Sequence, residues 1–216
     1  MLEKQLPFTI REVDLKNKDE EFKKVYASLH PDPEAPAKVP ILYDGDTKLI
    51  ESIVVVEYLA SKYRSHGNDI LPADEADIAR CRLFVELFTN YINSAMFGLY
   101  KADSHDAVKA GREKLVYGLR IMDECLRRHG HENGGSYFLG GHFTIADVIT
   151  TPFLQRVLVT IPGYRNIDVW EIIREEKLER FHRWADAVLA RPSSQETKPT
   201  DEVILSSLRK FVVEIN

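Results

Sequence analysis

The chain has 216 residues, 44% of them hydrophobic and 29% charged, enough apolar material for a core in one domain or in a small domain plus a larger one. With 29 basic against 34 acidic residues the formal charge is -5, so the chain offers no basic footprint for nucleic acid or for an anionic membrane surface. This composition excludes a disordered chain, a collagen-like repeat and a disulfide scaffold. Only two cysteines occur, Cys81 and Cys125, far apart and each inside a helical pattern, which fits a reducing compartment. No window approaches 18 uninterrupted apolar residues, and the first residues lack the apolar core of a signal peptide, so a cytoplasmic location without membrane association is expected.

Residues 1–5 read as the last turn of a helix. Over 6–15, Phe8, Ile10, Val13 and Leu15 alternate with polar neighbours, with one irregular step at Arg11-Glu12, and predict a half-buried strand. Phe22, Val25, Tyr26 and Leu29 then recur at i, i+3, i+4 and i+7, an amphipathic helix that ends before Pro31, Pro33 and Pro36. Residues 30–38 are loop. Residues 39–43 (VPILY) predict a short strand, Asp44-Gly45-Asp46 a tight hairpin, and Lys48 onward a second strand. Ser52 is the expected cap of a helix over 53–64.

Gly67, Asn68 and Pro72 punctuate a linker, and beyond it only helical periodicity remains, over 75–101, 106–129, 145–161, 170–190 and 201–215. Gly or Pro segments such as 131–135 and Pro162-Gly163 separate these stretches. Thr144 and Asp147 have the spacing of a capping box, and Pro152 falls inside the helix they start. The reading is a small α/β domain over 1–66, a linker over 67–74 and an all-helical domain over 75–216.

The chemistry-bearing residues concentrate in the first domain. An X-Pro bond opening a strand, as at Val39-Pro40, fits a cis proline, and the Val39 N–H and C=O are then free to pair with an extended ligand. Ser52 at a helix N-terminus offers a hydroxyl and free backbone N–H groups to a carboxylate, while Glu51 offers a counter-charge to an ammonium. One α-amino-acid head group satisfies both. Lys18 can pair with a second carboxylate at the other end of the ligand. A short extended peptide with an amino-acid head and a distal carboxylate describes glutathione. Against this stands the plain reading of Ser52 as a common N-cap and of Lys18 as one lysine of a solvated Lys16-Asn17-Lys18 run.

Asp14-Leu15-Lys16-Asn17-Lys18, Lys38-Val39-Pro40-Ile41-Leu42, Glu51-Ser52 with Glu57-Tyr58-Leu59, and Leu71-Pro72-Ala73-Asp74 stand in an order that resembles the cytosolic glutathione S-transferases. The likeness continues through Tyr137-Phe138-Leu139-Gly140-Gly141, Phe143-Thr144-Ile145-Ala146-Asp147, Pro152, Trp184 and Arg191-Pro192-Ser193. The Lys-Asn-Lys run and Glu86-Leu87-Phe88 are most similar to the omega and lambda-like classes. The resemblance implies an α/β thioredoxin-like N-terminal domain followed by an all-α C-terminal helical bundle. It also implies glutathione as co-substrate, a small electrophilic or disulfide second substrate, and a homodimer. The reaction it implies is thiol transfer, dehydroascorbate-type reduction or conjugation, with Lys18, Val39, Pro40, Glu51 and Ser52 at the glutathione site and no metal.

The family's catalytic serine, tyrosine or cysteine has no match in this sequence. In the family it lies at the start of a first helix, after a first strand, and this chain reads as beginning near that helix's end. The α/β domain is therefore expected to be incomplete at its N-terminus, and a non-catalytic glutathione-binding or assembly module is the alternative to an enzyme. Cys81 and Cys125 read as small buried hydrophobes. His129, His131 and His142 read as loop residues without metal-ligand spacing. Phe97 or Tyr100 is a candidate wall for an apolar co-substrate.

Overall fold

A two-residue turn, Gly45-Asp46, closes an antiparallel hairpin of β1 (Ile41–Asp44) and β2 (Thr47–Ile50), with Ile41 opposite Ile50 and Asp44 opposite Thr47. Gly45 has φ +59°, a backbone state that glycine enters without steric cost. The computed structural model describes residues 1–131 and 134–215, in which the hairpin belongs to one unit, Met1–Leu71, and the helices that follow form a second, Pro72–Asn216. Among the described residues no helix is long and apolar enough to cross a membrane.

In the first unit α1 (Glu20–Leu29) starts at Asp19, whose carboxylate accepts the Phe22 N–H at 2.7 Å, and it buries Phe22 and Tyr26. Helix α2 (Ser52–Lys62) buries Leu59 and Ala60, and both helices pack on β2. One carboxylate ties α2 to the hairpin. Asp44 accepts from Lys62 Nζ at 2.9 Å, Tyr63 Oη at 2.8 Å and Tyr58 Oη at 3.0 Å. The Lys62 bond, followed by the tyrosine hydroxyls, holds the Asp44 carboxyl below the usual carboxylate range.

The chain's first residues dock on the far end of α2. A single 3-10 turn, Leu2–Lys4, buries the Lys4 side chain, whose ammonium donates to Arg64 O at 3.2 Å and Asn68 O at 2.8 Å. Asn68 N–H returns a bond to Glu3 O at 2.7 Å. Gly67 is required twice over there, because its φ is +52° and a Cβ would stand 2.5 Å from Glu3 O.

Residues 6–15 are not a strand, which corrects the expectation from their alternation. The only strands among the described residues are β1 and β2, and Phe8, Ile10 and Leu15 lie exposed. Alternation supplies a strand with a face, but the strand exists only where a neighbour takes its backbone groups. No ladder forms here, and Arg11 instead reaches Asp19 and Glu21, each at 3.1 Å.

The second unit is helical throughout. Helix α3 (Glu75–Leu87), capped by Asp74, runs through a π-helical turn, Phe88–Asn93, into α4 (Ser94–Tyr100). Then come α5 (His105–His129), α6 (Ile145–Arg165), α7 (Val169–Glu175), α8 (Glu179–Ala190), α9 (Pro192–Thr197) and α10 (Asp201–Leu208). An aromatic cluster fills the centre, with Trp184 edge-on to Phe84 and Phe88 and tilted against Phe181. Beside it Asp147, fully buried, accepts from Thr144 N, Thr144 Oγ1, Phe138 N and Trp184 Nε1 at 2.8 to 3.0 Å. The expected capping box is present, and the same carboxylate also anchors the loop before α6 and the central tryptophan.

Several helix boundaries differ from the periodic reading, and the last helix stops at Leu208, with a 3-10 turn over Arg209–Phe211, rather than running to residue 215. Pro162-Gly163 lies inside α6 rather than ending it, and the helix stops at Asn166 in the left-handed region. A proline in a helix forfeits one backbone bond, and here contact with α10 compensates. A Cβ on Gly163 would lie 2.7 Å from Leu205 Cδ2, and the Tyr164 hydroxyl donates to Leu205 O. The stretch 170–190 breaks into α7 and α8 at Lys177, φ +54°. Asp123 on α5 makes the break tenable: its carboxylate accepts the Phe181 N–H at 2.8 Å and so caps α8 from outside.

Replacing Asp147 by Ala leaves buried donors at Phe138, Thr144 and Trp184 without their acceptor. We expect a loss of at least about 3 kcal/mol, read by Trp emission during denaturant unfolding; a loss under about 1 kcal/mol contradicts this role. Asp44 acts in the opposite direction from a buried acid. Its folded pKa is depressed, so its contribution is complete above the unfolded carboxylate value and disappears as pH falls through the folded one. Amide exchange along α2, corrected for intrinsic rates, should therefore lose protection on acidification, while Asp44→Asn should show the weaker protection at every pH.

Candidate functional site

The hairpin register brings the sequence-predicted residues to one end of the sheet. Because Ile41 pairs with Ile50, Pro40 and Glu51 are the next residues outward on strands about 4.8 Å apart. The Val39-Pro40 peptide is cis, and Val39 is 47% exposed. Among the described residues neither the Val39 N–H nor its C=O takes a backbone partner. An exposed residue with both main-chain groups open is a place where another chain can add main-chain bonds.

Across from it the chain turns into α2. Glu51 is the N-cap, with φ 68° and ψ 113°, and its exposed carboxylate makes no capping bond. Positive φ in a non-glycine residue costs about 1–3 kcal/mol and persists only where the surroundings impose it. The first backbone bond of the helix is Val55 N–H to Glu51 O at 3.0 Å, so the N–H groups of Ser52, Ile53 and Val54 have no helical acceptor. Ser52 is thus the first helical residue and not the cap, which corrects the sequence reading, because the turn is already complete at Glu51. Its hydroxyl is exposed beside those N–H groups, at the positive end of the helix dipole. The set is bipolar, pairing anion-binding donors at Ser52 with a carboxylate one residue away.

Lys18 joins from the segment before α1. Its ammonium donates to Ala37 O at 2.7 Å, two residues ahead of Val39, and it lines a cavity of about 450 Å³ between α1 and residues 33–37. Val39, Pro40, Glu51 and Ser52 therefore share one end of the hairpin, while Lys18 is held against the loop that leads into it. The sequence reading missed Asp44, which orients α2 and hence Ser52. Tyr58, Lys62 and Tyr63, three polar groups within the six residues that end α2 and its C-cap, were the available signal.

Other sequence candidates fall away from reactive roles. Both cysteines are buried free thiols, and burial pushes each up to about 11, so neither is a thiolate near neutral pH. Cys81 Sγ contacts Thr144 Oγ1 at 3.5 Å. No group of three metal-ligating side chains occurs among the described residues, and His131 Nε2 instead faces Asp77 at 3.4 Å. Tyr100 is fully buried with its hydroxyl 2.6 Å from Thr160 Oγ1, so it walls no open pocket, whereas Phe97 is 40% exposed.

The chain resembles known proteins in sequence and fold. The family model described as "Glutathione S-transferase, N-terminal domain" matches residues 1–67, and "Glutathione S-transferase, C-terminal domain" matches 106–187. A relative from Oryza sativa subsp. japonica, "Probable glutathione S-transferase DHAR1, cytosolic", is 27% identical over 94% of this chain and 82% of its own length. Among solved structures, glutathione transferase Omega 3C from Trametes versicolor is similar with a TM-score of 0.79 at 22% identity, over 97% of this chain and 81% of that one. The dehydroascorbate reductase of Chlamydomonas reinhardtii has a TM-score of 0.68 at 21% identity, over 97% and 85%. The first unit is the thioredoxin-like half of that fold and the second its helical half. With both family models matched in order and most of the chain inside them, the chain belongs to the glutathione S-transferase family.

Proposed function

We propose that the chain binds glutathione at the open end of the hairpin and uses its thiol in glutathione-dependent reduction or conjugation. The observation that carries this is the pairing of an unpartnered Val39 main chain with the bipolar Glu51-Ser52 helix start. The α-carboxylate of the γ-glutamyl group meets the Ser52 hydroxyl and the free N–H groups of α2, and its ammonium meets Glu51. The cysteinyl residue adds main-chain bonds to Val39, with Pro40 fixing the approach. The glycine carboxylate takes the Lys18 ammonium in exchange for the Ala37 carbonyl.

With both cysteines sealed as thiols, the reacting sulfur is that of glutathione itself. In reduction of a dehydroascorbate-type substrate, two glutathione thiols become one disulfide and pass two electrons and two protons to the substrate. In conjugation, the glutathione sulfur forms a bond to carbon as the bond from that carbon to its leaving group breaks, and the thiol proton is released with the leaving group. The names of the rice relative and the algal structure favour reduction. A second reading is a glutathione-binding module without turnover, in keeping with both of the chain's own cysteines being sealed as thiols. Family membership also supports a homodimer, which light scattering reads as twice 24.8 kDa.

Calorimetric titration with glutathione followed by a thiol-transfer assay separates these readings. Binding with turnover supports the enzyme, binding with background activity supports the module, and no binding removes both. Ser52→Ala should weaken glutathione about tenfold, the value of one bond to a charged group, without changing thermal unfolding.

A further inference from the structure

The cavity beside Lys18 is larger than a glycine carboxylate needs. Three lysines line it, Lys18, Lys23 and Lys24, against a single acid, Glu34, in a chain whose formal charge is -5. Lys23 is bonded to Glu20 at 2.7 Å, but Lys18 donates only to a neutral carbonyl, and Lys24 makes no ion pair among the described residues. Pro36 and its neighbours form the opposite wall, a segment stiffened by proline. At about 450 Å³ the space falls in the range of small-molecule pockets. Lys18 belongs to this cavity and, through its bond to Ala37, is held against the loop that leads to Val39. Its acceptor Ala37 stands two residues from Val39, at most about 7 Å of chain.

We infer that this cavity is a subsite for an anionic group carried beyond the glycine of the thiol peptide, so that the chain prefers γ-glutamyl-cysteinyl-glycine extended by an acidic residue. The inference rests on the glutathione reading above. A ligand whose glycine carbonyl end reaches Lys18 continues into the cavity when it is one residue longer. There its added carboxylates meet the Lys24 ammonium, with Lys23 beside it on α1. A neutral extension fills the same space without the charge pairing.

The test is titration calorimetry of the full chain with glutathione, with γ-Glu-Cys-Gly-Glu and with γ-Glu-Cys-Gly-Gln, at about 50 mM and 500 mM salt. At low salt the acidic tetrapeptide should bind about fivefold tighter than the neutral one, and the ratio should shrink at high salt as the charges are screened. Lys24→Gln should bring the ratio to one, whereas Ser52→Ala should weaken both tetrapeptides and leave the ratio standing. Equal affinities of the two tetrapeptides in the unmodified chain, or a ratio that survives Lys24→Gln, overturns the subsite while glutathione binding still supports the proposed function. If glutathione and both tetrapeptides fail to bind, the proposed function falls and the subsite with it.

Discussion

The pairing of Ile41 with Ile50 is the constraint on which the candidate site depends. A one-residue slip would turn every side chain of one strand to the opposite face and would move Pro40 out of line with Glu51. The register is held at the turn. Gly45 permits the two-residue turn, and Asp44, gathered by Lys62 and two tyrosines of α2, prevents the helix from drifting along the hairpin. Ser52 begins the helix that Asp44 positions, so a carboxylate at the turn end of the sheet governs the donors at its open end.

The helical unit is organised by buried carboxylates in a different way. Asp147 and Asp123 are both fully buried, and each accepts backbone N–H groups of a helix start or a neighbouring loop, with Trp184 and Thr144 side chains adding to Asp147 and Arg127 pairing with Asp123 at 2.7 Å. Arg165 does the reverse at helix C-termini: its buried guanidinium donates to the carbonyls of Leu99, Tyr100, Ala102 and Val213. Helix ends that pack inside a bundle cannot be satisfied by water, and side chains distant in sequence take that role.

Local chemistry made much of this legible in advance. The hairpin turn, the α1 and α2 patterns, the Thr144–Asp147 box and the cis proline each depend on residues within a few positions of one another, and the sequence displays them directly. The strand expected over 6–15 failed because pairing depends on a neighbour that periodicity cannot see. The α7–α8 break and the continuation of α6 through Pro162 were hidden for the same reason, since Asp123 and Leu205 come from remote helices. At the site, the residue types and their spacing were readable. That Glu51 rather than Ser52 completes the turn was not, because it rests on a positive φ that no composition rule assigns to glutamate.

Asp123 couples the stability of two helices that are far apart in the chain. The cap of α8 lies 58 residues upstream, and α8 spans only 12 residues, too few for stable helix in isolation. Closing a loop of that length carries an entropic cost before the capping bond returns anything. The start of helix α8, which carries Trp184 into the aromatic core, is therefore coupled in stability to α5, through a contact that no local signal in the sequence supplies.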